Sequence, residues 1–195
     1  MAITVTARVE TRRFTRVEYE RLIEIGFFQP GEHLELIDGL LVAREPQKSR
    51  HATSVRLVQQ ALERAFGAGW DVRPQLPLAL DDMSEPEPDT AVVRGTARDY
   101  RDAHPASPVL VVEIAESRPA FDRRRKSSLY ARAGIADYWV LNLVRRLLEV
   151  HREPEAFAAA PYGFRYRSIV KVGATGAVSP LAAPSAVVAV ADLLP

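Results

Sequence analysis

The chain has 195 residues and a formal net charge of +1, and hydrophobic and charged residues make up 47% and 26% of it. This composition is typical of a folded globular protein, and it excludes a disordered tail or a protein that binds nucleic acid through its overall charge. Cysteine is absent, which excludes disulfides, thiolate metal sites and cysteine nucleophiles. We expect a single domain over residues 1–195. No apolar run has the length of a membrane span and no signal-peptide core is present, so we expect a cytoplasmic protein without membrane contact.

The first half of the chain predicts a helix, a hairpin, a second helix and a strand at a sheet edge. A capping-box pattern begins a helix over 15–26. Apolar and polar residues then alternate around Asp38 and Gly39, and this dipeptide is the strongest short-range hairpin signal. Apolar residues at helical spacing predict an amphipathic helix over 51–66. A strand over 70–80 contains two prolines, which places it at a sheet edge.

The second half predicts buried strands around one more helix. Residues 108–115 form a nearly continuous apolar run, as in a strand buried on both faces. A helix over 120–133 and a second buried strand over 137–143 follow, and short strands fill much of the remaining chain. This mixed order predicts an α/β or α+β domain with one central mixed sheet.

Glu113 is the first candidate for a functional residue, because it lies inside the apolar run. Strand alternation places its side chain on the same sheet face as Val111 and Ala115. A carboxylate in such a position is costly unless a cation, an ion pair or several hydrogen bonds compensate it. A structural ion pair with an arginine and a metal-binding role are equally compatible with Glu113 alone.

Asp89 favours the metal-binding interpretation of Glu113. It follows Pro88 at the start of another strand-like segment, where an aspartate by itself is more often a turn residue. Two carboxylates on adjacent strands can converge on one hard cation such as Mg²⁺, which takes oxygen ligands and retains several waters.

The predicted helix over 120–133 carries a basic face and one of only three lysines in the chain. Asp122, Lys126 and Tyr130 recur at four-residue steps and therefore share one face. The structural interpretation is an Asp–Lys helix pair beside a solvated basic surface. The functional interpretation is that this face points at Glu113. Six basic residues against one acid between 118 and 132 also suit contact with phosphates.

Six short motifs occur in the order found in the Uma-two family, and the chain resembles that family over nearly its whole length. The motifs are E-L-I-D-G at Glu35–Gly39, a helix-opening His51, Pro88-Asp89, V-E-I at Val112–Ile114, Asp122 with Lys126 and Tyr130, and G-I-A-D-Y-W at Gly134–Trp139. The Uma-two proteins are restriction endonuclease-like and built on the PD-(D/E)XK nuclease core. The resemblance implies an α/β fold with a central mixed β-sheet flanked by helices.

The resemblance also implies which residues form the site. Asp89 and Glu113 would hold Mg²⁺ or Mn²⁺, with the backbone carbonyl of Ile114 as a further ligand. The lysine that usually follows the glutamate by two residues is absent, since Ala115 stands there, and Lys126 from the next helix would replace it. Glu35 would be the extra acid that some members of the superfamily contribute from an earlier element.

The implied activity is that of a metal-dependent DNA endonuclease hydrolysing phosphodiester bonds. Lys126 would orient the water or stabilise the developing charge, and Arg123, Arg124 and Arg125 would contact phosphates. We interpret Tyr130 mainly as a packing residue and His51, at a helix start, mainly as a structural one, although both are accessory candidates together with Glu35 and Asp122. The alternative function is a non-catalytic nucleic-acid or protein-binding module that retains the nuclease fold. By analogy with other small nuclease cores, we expect a homodimer.

Overall fold

The helices and strands follow the order that the apolar pattern predicts. The computed structural model describes residues 12–44, 47–116 and 119–195, excluding the side chains of 119–123. In these ranges the chain forms, in order, α1 (Arg16–Glu24), β1 (Leu34–Ile37), β2 (Leu40–Ala43), α2 (Ser49–Phe66), β3 (Trp70–Pro74), β4 (Thr90–Arg94), β5 (Leu110–Ala115), α3 (Pro119–Arg132), β6 (Asp137–Asn142), β7 (Leu147–Ala156), β8 (Phe164–Gly173), β9 (Ala177–Val178) and β10 (Val188–Ala189), with short 3-10 helices over Ala97–Tyr100 and Val190–Leu193.

Strands β3 to β8 form one six-stranded sheet in sequential order. Neighbouring strands are antiparallel except for β5 and β6, which are parallel. A parallel pair needs a crossover connection, and α3 supplies it. The predicted α/β fold with a central mixed sheet flanked by helices is therefore confirmed, and β3 lies at the sheet edge as its prolines predict.

The two faces of the sheet are covered by different helices. On one face α2 packs its apolar stripe against alternate residues of the central strands, and this core includes Val55, Val58, Leu62, Val112, Ile114, Trp139 and Leu141. On the other face the last turns of α3 pack against a second core, which includes Ala91, Val111, Tyr130, Ala131, Tyr138 and Val140. The apolar run of β5 thus serves both faces, as expected for a strand buried on both sides.

Asp38 and Gly39 form the predicted turn between β1 and β2. Both residues have positive φ angles, 49° and 78°. A side chain at Gly39 would place its Cβ only 2.5 Å from the Cβ of Arg13. Glycine is therefore required both to avoid this steric clash and to adopt the positive φ angle.

Two sets of contacts bring this hairpin to the main sheet. Leu36 exchanges backbone hydrogen bonds with Glu85, in the segment that leads into β4. Arg132, at the end of α3, donates to Asp38 at 2.6 Å, to Asp81 at 2.9 Å and to Ser84 at 3.2 Å. The hairpin is consequently held beside the point where β4 begins.

The sequence-based prediction of a strand over 70–80 is wrong in its second half. β3 ends at Pro74, and Gln75 then adopts a positive φ of 52° that turns the chain. The N–H of Gln75 still donates to the carbonyl of Asp89 at 3.2 Å, so the strand ends because of the turn at Gln75 and not because of a missing donor at Pro74.

Candidate active site

The register of β4 and β5 places Asp89 next to Glu113. Thr90 pairs with Val112 and Ala91 pairs with Val111, so the next position outward sets Asp89 opposite Glu113. Because Ala91 and Val111 belong to the core under α3, the side chains two residues further along point to the same face. Both carboxylates therefore lie on the α3 face of the sheet.

The Asp89 carboxylate is buried and accepts the hydrogen bond that the next backbone carbonyl of β4 would accept if the strand continued. Its Oδ2 accepts a 2.7 Å hydrogen bond from the backbone N–H of Ile114, which β4 no longer reaches, since it begins only at Thr90. Its Oδ1 lies 2.9 Å from Nε2 of His51, in the first turn of α2. Ile114 of β5 and His51 of α2 thus fix Asp89 through both oxygens, just before β4 begins.

His51 is a contact residue of Asp89, so the structural interpretation of this histidine was incomplete. Burial would lower the pKa of His51, but the hydrogen bond and the negative charge of Asp89 outweigh it and raise this pKa above its usual value. For Asp89, burial would raise the pKa, but His51 and the Ile114 N–H hold it below its usual value. The pair therefore favours an ionised Asp89.

Glu113 is held by two donors from α3. Its Oε1 accepts a 2.7 Å hydrogen bond from the hydroxyl of Tyr130 and lies 3.1 Å from Nζ of Lys126. Tyr130 is fully buried and packs on Tyr138, but its hydroxyl also positions Glu113, which the interpretation as a packing residue did not foresee. The cation beside Glu113 is thus Lys126 of the basic helix.

Lys126 is shared between two carboxylates. Its Nζ is 3.1 Å from Oε1 of Glu113 and 3.1 Å from Oε1 of Glu35 in β1. Burial would lower the pKa of Lys126, but these acids and Asp89 raise it, so the ammonium stays protonated. Burial raises the pKa of Glu113 to about 7, with Asp89 and Glu35 adding to the rise and Lys126 opposing it.

Four sequence-predicted residues lie apart from this cluster or outside the described side chains. Arg124 and Arg125 are exposed on α3, next to Lys126 in the chain. The side chains of Asp122 and Arg123 lie outside the described part of α3, so their expected roles remain predictions.

Glu87 and Arg44 adjoin the site and were not singled out from the sequence. The backbone N–H of Glu87 donates to Oε2 of Glu35 at 3.0 Å, and the Glu87 carboxylate forms a 2.6 Å ion pair with Arg44. No local pattern links these residues, because their contacts depend on the docking of the β1–β2 hairpin against the segment before β4.

The donor chemistry of the cluster suits a hard divalent cation. Asp89 and Glu113 offer carboxylate oxygens on one sheet face, and Mg²⁺ is commonly bound by one or two carboxylates with waters completing its shell. Within residues 12–44, 47–116 and 124–195, no group of three or more His, Asp or Glu side chains is already arranged around a metal position.

Comparisons with known proteins agree with the fold. Residues 16–169 match the Uma2 (Uma-two) family, described as "Putative restriction endonuclease". The chain therefore belongs to the Uma2 family, which is restriction endonuclease-like, as its motifs predict. No curated protein matches the chain.

A solved structure shares the fold. It is described as a "putative nuclease" from Anabaena variabilis and superposes with a TM-score of 0.67 at 14% sequence identity, covering 88% of this chain and 96% of that one. Among the helices that the structure describes, none has the length and apolarity needed to cross a membrane.

Proposed function

We propose that this protein is a metal-dependent DNA endonuclease that hydrolyses phosphodiester bonds. The observation that supports it is the cluster in which the ammonium of Lys126 lies 3.1 Å from Glu113, with Asp89 beside Glu113 on the same face of the sheet. A structural ion pair would need one acid and one base. Three acidic side chains around a single lysine exceed that need and leave negative charge for a cation.

Asp89 and Glu113 are the proposed metal ligands, together with the carbonyl of Ile114. The N–H of Ile114 points to Asp89, and the carbonyl of a strand residue points to the same side as its N–H. The carbonyl of Ala115 points the opposite way and accepts from Leu143 beyond β6, as this alternation requires. Mg²⁺ (or Mn²⁺), when bound, would neutralise phosphate charge and increase the acidity of a coordinated water.

The other side chains of the cluster have separate roles in the proposed reaction. Lys126 presents a fixed, protonated ammonium that stabilises negative charge developing on the phosphate and orients the attacking water. Tyr130 keeps Glu113 in place through its hydroxyl, and His51 does the same for Asp89. Lys126, Glu113 and Asp89 each have two polar partners, which is the preorganisation that electrostatic catalysis needs.

The basic part of α3 is the proposed contact with DNA. Arg124 and Arg125 are exposed beside Lys126, and Arg123 precedes them in the same helix. Such side chains suit phosphates, which carry most of the affinity but no sequence information. We further propose a cytoplasmic homodimer, and light scattering after gel filtration would test the dimer.

Single-turnover cleavage of supercoiled plasmid tests this proposal. The wild type should nick or linearise the plasmid in Mg²⁺ or Mn²⁺ but not in EDTA, and Glu113→Gln should be inactive. Glu155→Gln on β7, which changes charge equally at a partly exposed acid paired with Arg165, should cleave as the wild type does. Absence of metal-dependent cleavage by the wild type would reject the endonuclease proposal.

A non-catalytic nucleic-acid or protein-binding module is the second candidate. It is favoured by the contacts that already engage Asp89 and Glu113, and by the lack of a three-residue metal cluster in the described ranges. This candidate predicts metal-independent binding of DNA, or of a protein, without any cleavage.

A further inference from the structure

Glu35 is a buried acid whose two oxygens have separate partners. Its side chain extends from β1, a four-residue strand of the N-terminal hairpin. Oε1 lies 3.1 Å from Nζ of Lys126, whereas Oε2 accepts a 3.0 Å hydrogen bond from the backbone N–H of Glu87. The hydrogen bond from Glu87 holds the Glu35 carboxylate in place. Because the carboxylate is held, its contact with Lys126 holds the lysine as well.

Three elements therefore meet at one ammonium. Lys126 comes from α3, Glu113 from β5 and Glu35 from β1, and the two acids lie at equal distances from Nζ. If Glu113 also served as a metal ligand, its charge would be shared with a cation. The attraction between Glu113 and Lys126 would then weaken, and the cation would repel the ammonium.

The charges of the cluster show why the second acid matters. When the three acids are ionised and His51 is neutral, Asp89, Glu113 and Glu35 carry three negative charges and Lys126 carries one positive charge, which leaves two negative charges for a divalent cation. Without Glu35 only one negative charge would remain, and a buried group of such unequal charge is unfavourable. Glu35 thus allows a lysine and a divalent cation to occupy the same small site.

We propose that Glu35 is a positioning residue for Lys126, holding its ammonium beside Glu113 when the charge of Glu113 is neutralised. This inference deepens the proposed nuclease function and differs from the extra metal-site acid that the family resemblance implied. The role assigned to Glu35 rests on the proposed nuclease function. The holding contact itself exists without a metal and can be tested without one.

The surroundings of Glu35 are built to keep it in place. Leu36, its neighbour in β1, is tied to Glu85 by two backbone hydrogen bonds. Arg132 of α3 binds Asp38 at the hairpin turn, so the helix that carries Lys126 also carries the anchor for the hairpin. The distance between Glu35 and Lys126 is therefore set by rigid elements at both ends.

The small number of lysines offers a direct measurement. Lys48 and Lys171 are exposed and serve as internal references, while Lys126 is largely buried. Acylation with a small N-hydroxysuccinimide ester, followed by peptide mass spectrometry, reports whether the ammonium of Lys126 has left its carboxylates. Glu113→Gln imitates a neutralised Glu113 while retaining an acceptor oxygen.

The proposal predicts that Glu113→Gln, without any metal, keeps Lys126 protected relative to Lys171. The double variant Glu35→Gln with Glu113→Gln should acylate at Lys126 about tenfold faster, because no charged carboxylate then holds the ammonium at 3.1 Å. In the matched control, Glu85→Gln takes the place of Glu35→Gln beside Glu113→Gln. Glu85 is a buried acid of the segment that pairs with β1, it contacts no lysine in the described structure, and this control should behave as Glu113→Gln does.

Equal protection of Lys126 in Glu113→Gln and in the double variant would overturn the proposal, as would full exposure in Glu113→Gln alone. Circular dichroism checks that the variants are folded, and the single variant Glu35→Asp provides a milder test, with partial exposure of Lys126 on addition of Mg²⁺. Failure of the nuclease function would instead show as absent plasmid cleavage by the wild type, whatever the acylation result.

Discussion

The ammonium of Lys126 in α3 contacts the carboxylate of Glu113 in β5 at 3.1 Å, although the two residues are 13 positions apart in the chain. The lysine therefore reaches Glu113 from α3, the element that follows β5. In the usual motif the lysine stands on the strand itself, two residues after the acid, and this chain has Ala115 at that position. Burial and the neighbouring acids hold the lysine in its charged form.

Lys126→Ala should abolish cleavage while the carboxylates remain to bind metal. A group that stabilises charge or moves a proton in the transition state typically contributes about 10² to 10⁴ in rate. Lys126→Arg should also be impaired, because a planar guanidinium does not replace a compact ammonium in a tight site. Single-turnover cleavage measures both variants, and wild-type rates in Lys126→Ala would remove the lysine from the mechanism.

Mg²⁺ or Mn²⁺ should raise the melting temperature of the wild type. A ligand that binds only the native state at a hundredfold excess over its dissociation constant stabilises by about 2.7 kcal/mol. Glu113→Gln should lose this increment, whereas Glu155→Gln should retain it. Differential scanning fluorimetry measures the change, and an identical increment in Glu113→Gln would place the ion elsewhere.

Arg124→Gln should weaken DNA binding without slowing the chemical step. Loss of one phosphate contact should reduce the dependence of log K on log salt by about one. Arg21→Gln on α1 is the control, because it removes the same charge from an exposed site away from α3. Fluorescence anisotropy at several salt concentrations measures the slope. Equal slopes for the two variants would show that Arg124 does not contact DNA.

Stability should decrease between about pH 5 and pH 8 because of Glu85. Burial raises the pKa of Glu85 to about 7, and its hydrogen-bonded neighbour Glu20 adds to the rise while Arg16 opposes it. The native state then binds more protons than the unfolded state between the usual pKa and about 7, so the free energy of unfolding falls as pH rises through this window.

Glu85→Gln should remove this contribution, which is on the order of 3 kcal/mol at neutral pH. Urea unfolding at several pH values measures it, with exposed Glu24→Gln as the control. An unchanged pH dependence in Glu85→Gln would show that Glu85 does not carry the effect.

The sequence alone determined the properties that depend on neighbouring residues. The nearly continuous apolar run over 108–115 predicted the burial of β5, and strand alternation predicted the face on which Glu113 lies. The Asp38-Gly39 pair predicted the hairpin. These features follow from strand periodicity and turn conformation, which are local. The same logic set Lys126 and Tyr130 on one helix face.

Only the tertiary structure decided which side chains meet. His51 and Asp89 are 38 residues apart and come into contact because α2 and the start of β4 are docked at one end of the sheet. Glu35 reaches Lys126 because a hairpin is held against the segment before β4 and against the end of α3. Such contacts depend on strand register and helix packing across the whole chain, since apolar periodicity specifies which face is buried but not which partner covers it.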